Sequence, residues 1–250
     1  MKISATLITL NEEENIQAAI ESLAFADEII VVDSESHDRT LEIARRFTDK
    51  IFTQKFLGYA AQKNFAADQA THDWIFNLDA DERITRELAE AIERLKQSEN
   101  IPESAFAMPR KVFYLGKWIK HSGWYPDYKI RLYNRQQARW EGDYVHESVK
   151  TTGEVKKLTG DILHYTVNSA SEHHLRIDRY TTLAAREAFS KNQRATFFSI
   201  ALSPVVTFVK TYVFKLGFLD GVQGLSIAYF AAQYVFLKKI KLWELQHSKP

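Results

Sequence analysis

The sequence predicts an α/β fold in which helices cover a mixed, largely parallel sheet, followed by a helical C-terminal extension. Three observations predict it. Through the first hundred residues, short apolar runs bounded by polar turns alternate with helical patterns, the sequence form of repeated strand–helix units. From about residue 101 the texture becomes aromatic and punctuated by Gly and Pro, which suits short, partly antiparallel strands and long loops. Beyond residue 194 it turns apolar and basic.

Taken in order, "KISATLITL" reads as the first strand and "ENIQAAIESLAF" as its helix. "EIIVVD" is a second, buried strand, followed by the polar turn "SESHD" and the helix "RTLEIARRF". "KIFTQ" is a third strand and "YAAQKNFAADQAT" a helix with Ala-rich faces. "WIFNL" is the fourth strand. Thr85 then caps the helix "RELAEAIERLKQ", whose Leu88, Ile92 and Leu95 form one apolar stripe. Residues 105–149 carry the aromatic segment, "DILHYTV" a further strand, and 170–193 a long helical pattern. The expected division is a domain over 1–194, split into 1–100, 101–169 and a helix at 170–194, with 195–250 as the extension.

Composition narrows the function. A 250-residue chain with 45% hydrophobic residues furnishes a real core. Its formal net charge of +1 argues against nucleic-acid binding driven by counterion release. The balance is uneven: residues 195–250 hold six lysines against Asp220 and Glu244, a net of +4, which leaves −3 for the first 194. Absence of cysteine excludes disulfide scaffolds, Cys-ligated zinc and thiol nucleophiles, and fits a reducing cytoplasm. The opening "MKISATLITLNEEEN" lacks the apolar core and cleavage site of a secretory signal and reads as a strand. In the tail, "TFFSIALSPVVTFV" is short and interrupted by Pro204, and "FLDGVQGLSIAYFAAQYVFL" contains Asp220, Gln223 and Gln233, so both read as amphipathic helices rather than bilayer spans. Such helices serve equally for a membrane surface, for packing on the core, or for homo-oligomerisation.

The stretch "WIFNLDADERIT" puts Asp79 and Asp81 at the end of the fourth strand, where alternation would carry both carboxylates out on the same side, poised for a cation. A calcium loop starts D-x-D and closes with an acid at the twelfth position, as Glu90 does, but Arg83 and Ile84 stand where a ligand and an obligatory Gly belong. A phosphohydrolase of haloacid dehalogenase type also uses D-x-D after a strand, though on the first strand of its domain. The third use is a divalent ion, Mg²⁺ or Mn²⁺, clamped on a diphosphate and neutralising charge on a leaving nucleotide. A solvated turn of helix-capping acids is the plainest alternative.

Three earlier strand–helix junctions deliver polar loops to the same carboxyl edge, where open α/β sheets bind ligands. "TLNEEEN" supplies Thr9, Asn11 and Glu13, "VVDSESHDRT" supplies Asp33, Ser34, Ser36 and Asp38, and "AAQKN" supplies Lys63. Neither G-x-G-x-x-G nor G-x-x-x-x-G-K-[ST] occurs. Acids in the first two loops suit a base N–H and ribose hydroxyls rather than phosphate. Arg131, with Lys129, suits a diphosphate or an anionic acceptor. Trp118, Trp124, Tyr125 and Trp140 suit sugar stacking or a small core, and His121, His173 and His174 read as surface or structural.

These motifs resemble the family 2 glycosyltransferases with the GT-A fold, a Rossmann-like mixed sheet: "TLITLNEEENI", "VVDSESHDRT", "QKN" and the D-x-D of "NLDADE". "GWYPDYKIRLY", "VHESV" and "LGFLDGVQG…LKKIKLWE" are similar, more narrowly, to bacterial lipopolysaccharide (lipooligosaccharide) inner-core β-1,4-glucosyltransferases that act on heptose. The resemblance covers nearly the whole chain. It implies an inverting, metal-assisted transfer of a hexose, glucose from UDP-glucose, to a lipid-linked saccharide. It makes 1–100 the nucleotide-sugar half and 101–169 the acceptor half, and places the protein in the cytoplasm, peripheral at the inner membrane face. A non-catalytic sugar-nucleotide-binding protein of membrane assembly is the other reading.

Carried over, Asp33 pairs with the uracil edge, Asn11 and Glu13 lie against the nucleoside, Thr9 and Ser34 line the same site, and Lys63 approaches the base or diphosphate. Asp79 holds the ribose or sugar side and Asp81 the metal, with Asp79 beside it. His164 in "DILHYTV" matches a third, imidazole ligand of some GT-A enzymes, or is a satisfied core histidine. Inversion needs a general base to take the acceptor hydroxyl's proton. Many members use the Asp of a Glu-Asp pair; here "DYVHESV" offers Glu147, next to His146, and "WYPDY" offers Asp127 as competitor.

Overall fold

The computed structural model describes residues 1–142, 147–167 and 169–247. They form two compact units, one of Met1–Arg110 with Asp127–His164, the other of Lys111–Pro126 with Tyr165–Pro250.

The first unit opens with the expected alternation: β1 (Ile3–Thr9), α1 (Ile16–Glu21), β2 (Glu28–Asp33), α2 (Thr40–Ala44), β3 (Ile51–Thr53), α3 (Tyr59–Asp68), β4 (Trp74–Asp79). β1 pairs in parallel with both β2 and β4, and β2 with β3. The chain then turns at Ala80–Asp81 into a strand that the sequence reading omitted, β5 (Glu82–Ile84), before α4 (Arg86–Lys96). Thr85 caps α4 as expected, its hydroxyl accepting from Leu88 N–H.

The aromatic segment supplies longer strands than its punctuation predicts: β6 (Ala105–Tyr114), the short β7 (Lys117–Trp118), β8 (Asp127–Asn134), and the hairpin β9 (Ala138–Glu141) and β10 (Ser148–Thr151). β11 (Val155–Lys157) and β12 (Ile162–Val167) follow. The strand order is β3-β2-β1-β4-β8-β6-β12-β5, parallel through β4 and antiparallel at β4–β8, β8–β6 and β12–β5, so the sheet is mixed.

Strand alternation sorts the core into two layers. Ile3, Ala5 and Leu7 of β1, Phe76 and Leu78 of β4 and Leu132 of β8 pack with Ile16, Ile20, Leu88 and Ile92 of the helices on one face. Ile30 and Val32 of β2, Ile75 of β4 and Tyr133 of β8 face the other way, against Ala66 and Ala67 of α3 and Trp140 of β9. Asn77 and Asp79 share the parity of Ile75, and Arg131 that of Tyr133. The sheet face that meets α3 therefore carries the site's charges.

The second unit holds α5 (Ala170–Ser190), α6 (Phe197–Val209), a π-helical turn over Lys210–Phe214, a 3₁₀ turn over Gly217–Asp220 and α7 (Val222–His247). Leu242 of α7 packs on Ala185 and Ala188 of α5. Buried Asp220 accepts from the backbone N–H of His121 (2.8 Å) and Lys120 (3.3 Å). The tail corrects one sequence expectation. Pro204 lies inside α6, and the π-helical turn prolongs the apolar helix to Phe214, giving an 18-residue run of mean hydropathy 1.6, 6% buried, long and apolar enough by length and composition to cross a membrane. An interior Pro removes an i→i−4 hydrogen bond and its ring crowds the i−4 carbonyl, which can kink a helix without ending it.

Candidate active site

Three consecutive residues of α3 fix three parts of the site, because successive helical side chains point about 100° apart. Gln62, fully buried, donates to Ser34 Oγ (3.1 Å) and Gln54 O (3.0 Å) and accepts from Leu57 N–H (3.3 Å), tying down the loops after β2 and β3. Asn64 brackets the backbone of Trp140, donating to its carbonyl (2.9 Å) and accepting from its N–H (3.1 Å). Between them Lys63, 2% exposed, reaches Asp79 Oδ1 at 3.0 Å and Glu147 Oε1 at 3.7 Å, with its ammonium 4.4 Å from the Trp140 ring centroid.

Arg131 enters from β8 and is 3% exposed. Its guanidinium donates to Asn77 Oδ1 (3.1 Å), to Asp79 Oδ2 (2.7 Å) and to both oxygens of Glu82 (2.7 Å each). Burial disfavours the charged form of Asp79, but Arg131 and Lys63 outweigh it and hold the carboxyl well below the usual carboxylate range. Burial likewise opposes the charge on Arg131, and Asp79 with Glu82 reverses that and holds it more firmly protonated than a free arginine. Glu82, which the sequence reading did not single out, also accepts Asp79 N–H (3.2 Å) and Arg110 Nη1 (3.5 Å). Arg110 in turn donates to Asp127 Oδ2 at 2.9 Å, and Lys129 stands 3.0 Å from Asp127 Oδ1. The result is one row of alternating charge: Glu147, Lys63, Asp79, Arg131, Glu82, Arg110, Asp127, Lys129.

Asp81 does not join that row. The turn at Ala80–Asp81 breaks the strand's alternation, so the two acids meet different side chains, Asp79 those of Lys63 and Arg131 and Asp81 that of His164. Asp81 Oδ2 lies 3.1 Å from His164 Nε2. Antiparallel pairing of β12 with β5, which sets His164 opposite Glu82, delivers the histidine there. That pairing depends on Gly160 (φ +90°), since a Cβ there would sit 2.3 Å from Leu88 N of α4. Glu12, also missed in sequence, is half-buried; burial pushes its carboxyl up, its hydrogen bond from Asn15 opposes that, and Asp81, Asp38 and Asp79 add to the rise.

The first two loops brace each other. Asn11 (φ +54°) donates its N–H to Ser36 Oγ and accepts His37 N–H, both at 2.8 Å. Glu13 accepts from Arg39 N–H (3.1 Å) and Nε (3.2 Å). Buried Asp33 accepts from Ser36 N–H (2.9 Å) and Oγ (2.5 Å). Thr9, at the end of β1, keeps its buried hydroxyl without a hydrogen-bond partner, beside the site's edge. The structure thus brings Lys63, Asp79, Arg131 and Glu147 into direct contact, reaches Asp127 through Glu82 and Arg110, and sets Asp81 with His164. Thr9, Asn11, Glu13, Asp33 and Ser34 stand on the neighbouring loops. His146 lies outside the described residues.

As to a metal, Asp81 and His164 offer a hard carboxylate oxygen and an imidazole nitrogen side by side, a donor pair that fits Mg²⁺ or Mn²⁺ when substrate phosphates complete the shell. Asp79, held by two cations, is not part of that pair. Among the described residues no group of three His, Asp or Glu side chains is arranged to hold an ion.

Comparison with known proteins defines the class. The model of the family "Glycosyl transferase family 2" matches residues 4–149. Over its full length the chain is 31% identical to the lipopolysaccharide core biosynthesis glycosyltransferase LpsC of Rhizobium meliloti, covering 98% of this chain and 93% of that protein. It is 32% identical to an uncharacterized glycosyltransferase of Rickettsia typhi, covering 98% and 87%. The crystal structure of S. aureus TarS shares the fold, with a TM-score of 0.50 at 16% identity over 97% of this chain and 54% of that chain. The fold is GT-A, and the chain belongs to glycosyltransferase family 2. The phosphohydrolase reading falls with that assignment, since Asp79, its nucleophile, has one oxygen on Arg131 and the other on Lys63.

Proposed function

We propose that this transferase moves glucose from UDP-glucose, with inversion, onto a heptose of the lipopolysaccharide inner core, assisted by a divalent metal. The row of alternating charge at the sheet's carboxyl edge carries the reading, because it sets two separate carboxylates, Glu147 and Asp127, on either side of the buried Asp79–Arg131 pair. One end would meet the donor and the other the acceptor. The full-length similarity to a lipopolysaccharide core transferase supports the acceptor class.

In this reading Asp33, Asn11 and Glu13 receive the nucleoside through loops already braced for it, with Thr9 offering its unpaired hydroxyl. Asp79 orients the donor's ribose or sugar hydroxyls; fixed by Arg131 and Lys63, it stays ionised and does not turn. Asp81 and His164 would hold the metal, which when bound draws negative charge from the departing diphosphate. Glu147 takes the acceptor hydroxyl's proton as that oxygen attacks the anomeric carbon, with Lys63 holding its carboxylate. Asp127, between Arg110 and Lys129, is the weaker base because both its oxygens are engaged by cations.

The helical tail fits the lipid-linked acceptor. Phe197, Phe198, Val206 and Phe214 stand more than half exposed on α6 and its π-helical turn, which also carries Lys210, and α7 carries Lys238 and Lys239. Apolar groups edged by lysine suit the anionic inner face of a membrane. The deciding experiment screens UDP- and GDP-sugars, with and without Mn²⁺, against heptose-terminated lipopolysaccharide. Metal-stimulated transfer from UDP-glucose supports the proposal. Inert UDP-glucose beside turnover of another donor overturns the sugar assignment, and nucleotide binding without any transfer favours the non-catalytic reading.

A further inference from the structure

Glu82 closes the stretch "NLDADE" behind the two aspartates, and it is the charged row's most deeply buried carboxylate, fully excluded from solvent. It stands where two arginines from different strands meet: Arg131 of β8 at 2.7 Å to each carboxylate oxygen and Arg110 of β6 at 3.5 Å. Each arginine reaches a second acid on its other side, Asp79 at 2.7 Å and Asp127 at 2.9 Å. Glu82 also accepts the backbone N–H of Asp79, so it fixes the end of β4 directly.

The charges explain why an acid is needed at this position. Four cations (Lys63, Arg131, Arg110, Lys129) face four acids (Glu147, Asp79, Glu82, Asp127), and Glu82 is the acid shared by the two arginines. Were it neutral, Arg131 would have Asp79 as its remaining charged partner and Arg110 would have Asp127. In a buried site of low dielectric both arginines would then draw those carboxylates onto themselves. The same donor, Arg131 Nη2, now divides itself among Asp79 Oδ2 and the two Glu82 oxygens.

We propose that Glu82 is a positioning residue: by sharing Arg131 with Asp79 and Arg110 with Asp127 it limits how strongly each guanidinium draws on those carboxylates and so sets where they stand toward substrates, and it couples the donor and acceptor sides of the site. The inference rests on the transferase reading of Asp79 but not on which sugar is transferred.

The test compares the wild-type protein with Glu82→Gln, which keeps the shape and removes the charge, and with the double variant Glu82→Gln/Arg110→Gln, which restores the balance. Steady-state kinetics use whichever nucleotide sugar the wild type turns over, at a temperature where circular dichroism shows all three folded. Glu82→Gln is expected to raise the KM for the donor at least fivefold and lower kcat at least tenfold, and the double variant to recover a large part of the kcat loss. A merely structural role lowers the unfolding midpoint of Glu82→Gln and leaves its kinetic constants unchanged, and that result overturns the proposal. So does a double variant no better than the single one, since charge balance would then not be the cause. Failure of UDP-glucose as donor counts against the assigned sugar and leaves this comparison intact with the active donor.

Discussion

In the sheet unit Lys63, Glu82, Asp33 and Arg131 are buried, and in the helical unit Phe197, Phe198, Val222 and Phe214 stand with roughly three-quarters of their surface in solvent. Both arrangements invert the ordinary distribution of side chains. The sheet unit buries Lys63, Glu82 and Arg131 where each has an opposite partner within hydrogen-bond or ion-pair distance, and Asp33 where Ser36 donates two hydrogen bonds to it, so its stability is tied to geometry at one edge. The helical unit spends its few buried polar groups on holding its own turns, as Asp220 does with His121 and Lys120, and leaves an apolar surface with no partner among the described residues. In the proposed function the paired buried charge is where chemistry is done, and the exposed apolar surface is where the membrane is met.

The largest expected effect tests the first half of that contrast. Glu147→Gln should lower kcat by about 10²–10⁴-fold, the usual worth of a general base, while UDP affinity measured by calorimetry stays within about twofold, because Glu147 meets Lys63 only at 3.7 Å and Lys63 keeps its closer ion pair with Asp79 at 3.0 Å. Full activity in that variant would shift the base to Asp127. Next in size, Arg131→Met leaves Asp79 and Glu82 as buried acids without their shared cation. Breaking such a pair costs about 3–5 kcal/mol, which for a chain of this size lowers the thermal midpoint by roughly 6–20 °C. An unchanged midpoint would mean that the row is solvated, contrary to its burial.

The other half of the contrast breaks with a smaller change. Phe198→Glu with Val206→Glu places two charges on the exposed face of α6, where no residue is buried. Co-sedimentation with vesicles rich in anionic lipid should fall severalfold, with the circular dichroism spectrum retained. Equal binding by the variant removes lipid as the partner, and a shift from dimer to monomer would instead assign the face to a second copy of the chain. Point changes are preferable to deleting residues beyond 193, because Leu242 of α7 covers Ala185 and Ala188 of α5 and its loss would expose that helix.

Legibility in the sequence followed the range of the interactions. β1 to β4 and the helices between them were readable because period, turn residues and the Thr85 cap are local signals. β5 was not, since "ERI" is three residues between a tight turn and a strong helix start, and only pairing with β12, some 80 positions on, makes it a strand. Glu82 was hidden for the same reason: beside Asp79 and Asp81 it looks like one more turn acid. Arg131 was visible as a site residue, but its partners were not. They follow from the antiparallel register of β4 on β8, where Phe76 faces Leu132, so that the next pair brings Asn77 to Arg131. The face shared by Asp79, Arg131 and Lys63 is a product of that register and of α3 crossing the sheet, and neither is encoded within any short stretch.

The smallest expected effect lies in the helical unit and asks whether its buried polar groups are structural only. His173 accepts or donates at 2.8 Å to Tyr114 OH, which also meets Ser226 Oγ at 3.0 Å, and its ring lies 4.2 Å from that of Phe230. Burial pushes its pKa down to about 4 from 6.5, with Arg176 adding to the fall and Glu172 opposing it. A basic group whose pKa is lower in the folded state binds fewer protons there than in the unfolded chain between those two values. Stability is therefore complete above about pH 6.5 and declines as the pH falls from 6.5 toward 4, by about 1–2 kcal/mol once solvent screening is allowed for. His173→Asn keeps a polar atom near Nδ1 for Tyr114 and cannot take up a proton, so urea titrations at pH 7 and pH 4.5 should give a smaller difference between the two pH values than in the wild type. An equal acid sensitivity in the two proteins would place the titrating group elsewhere and leave His173 as packing alone.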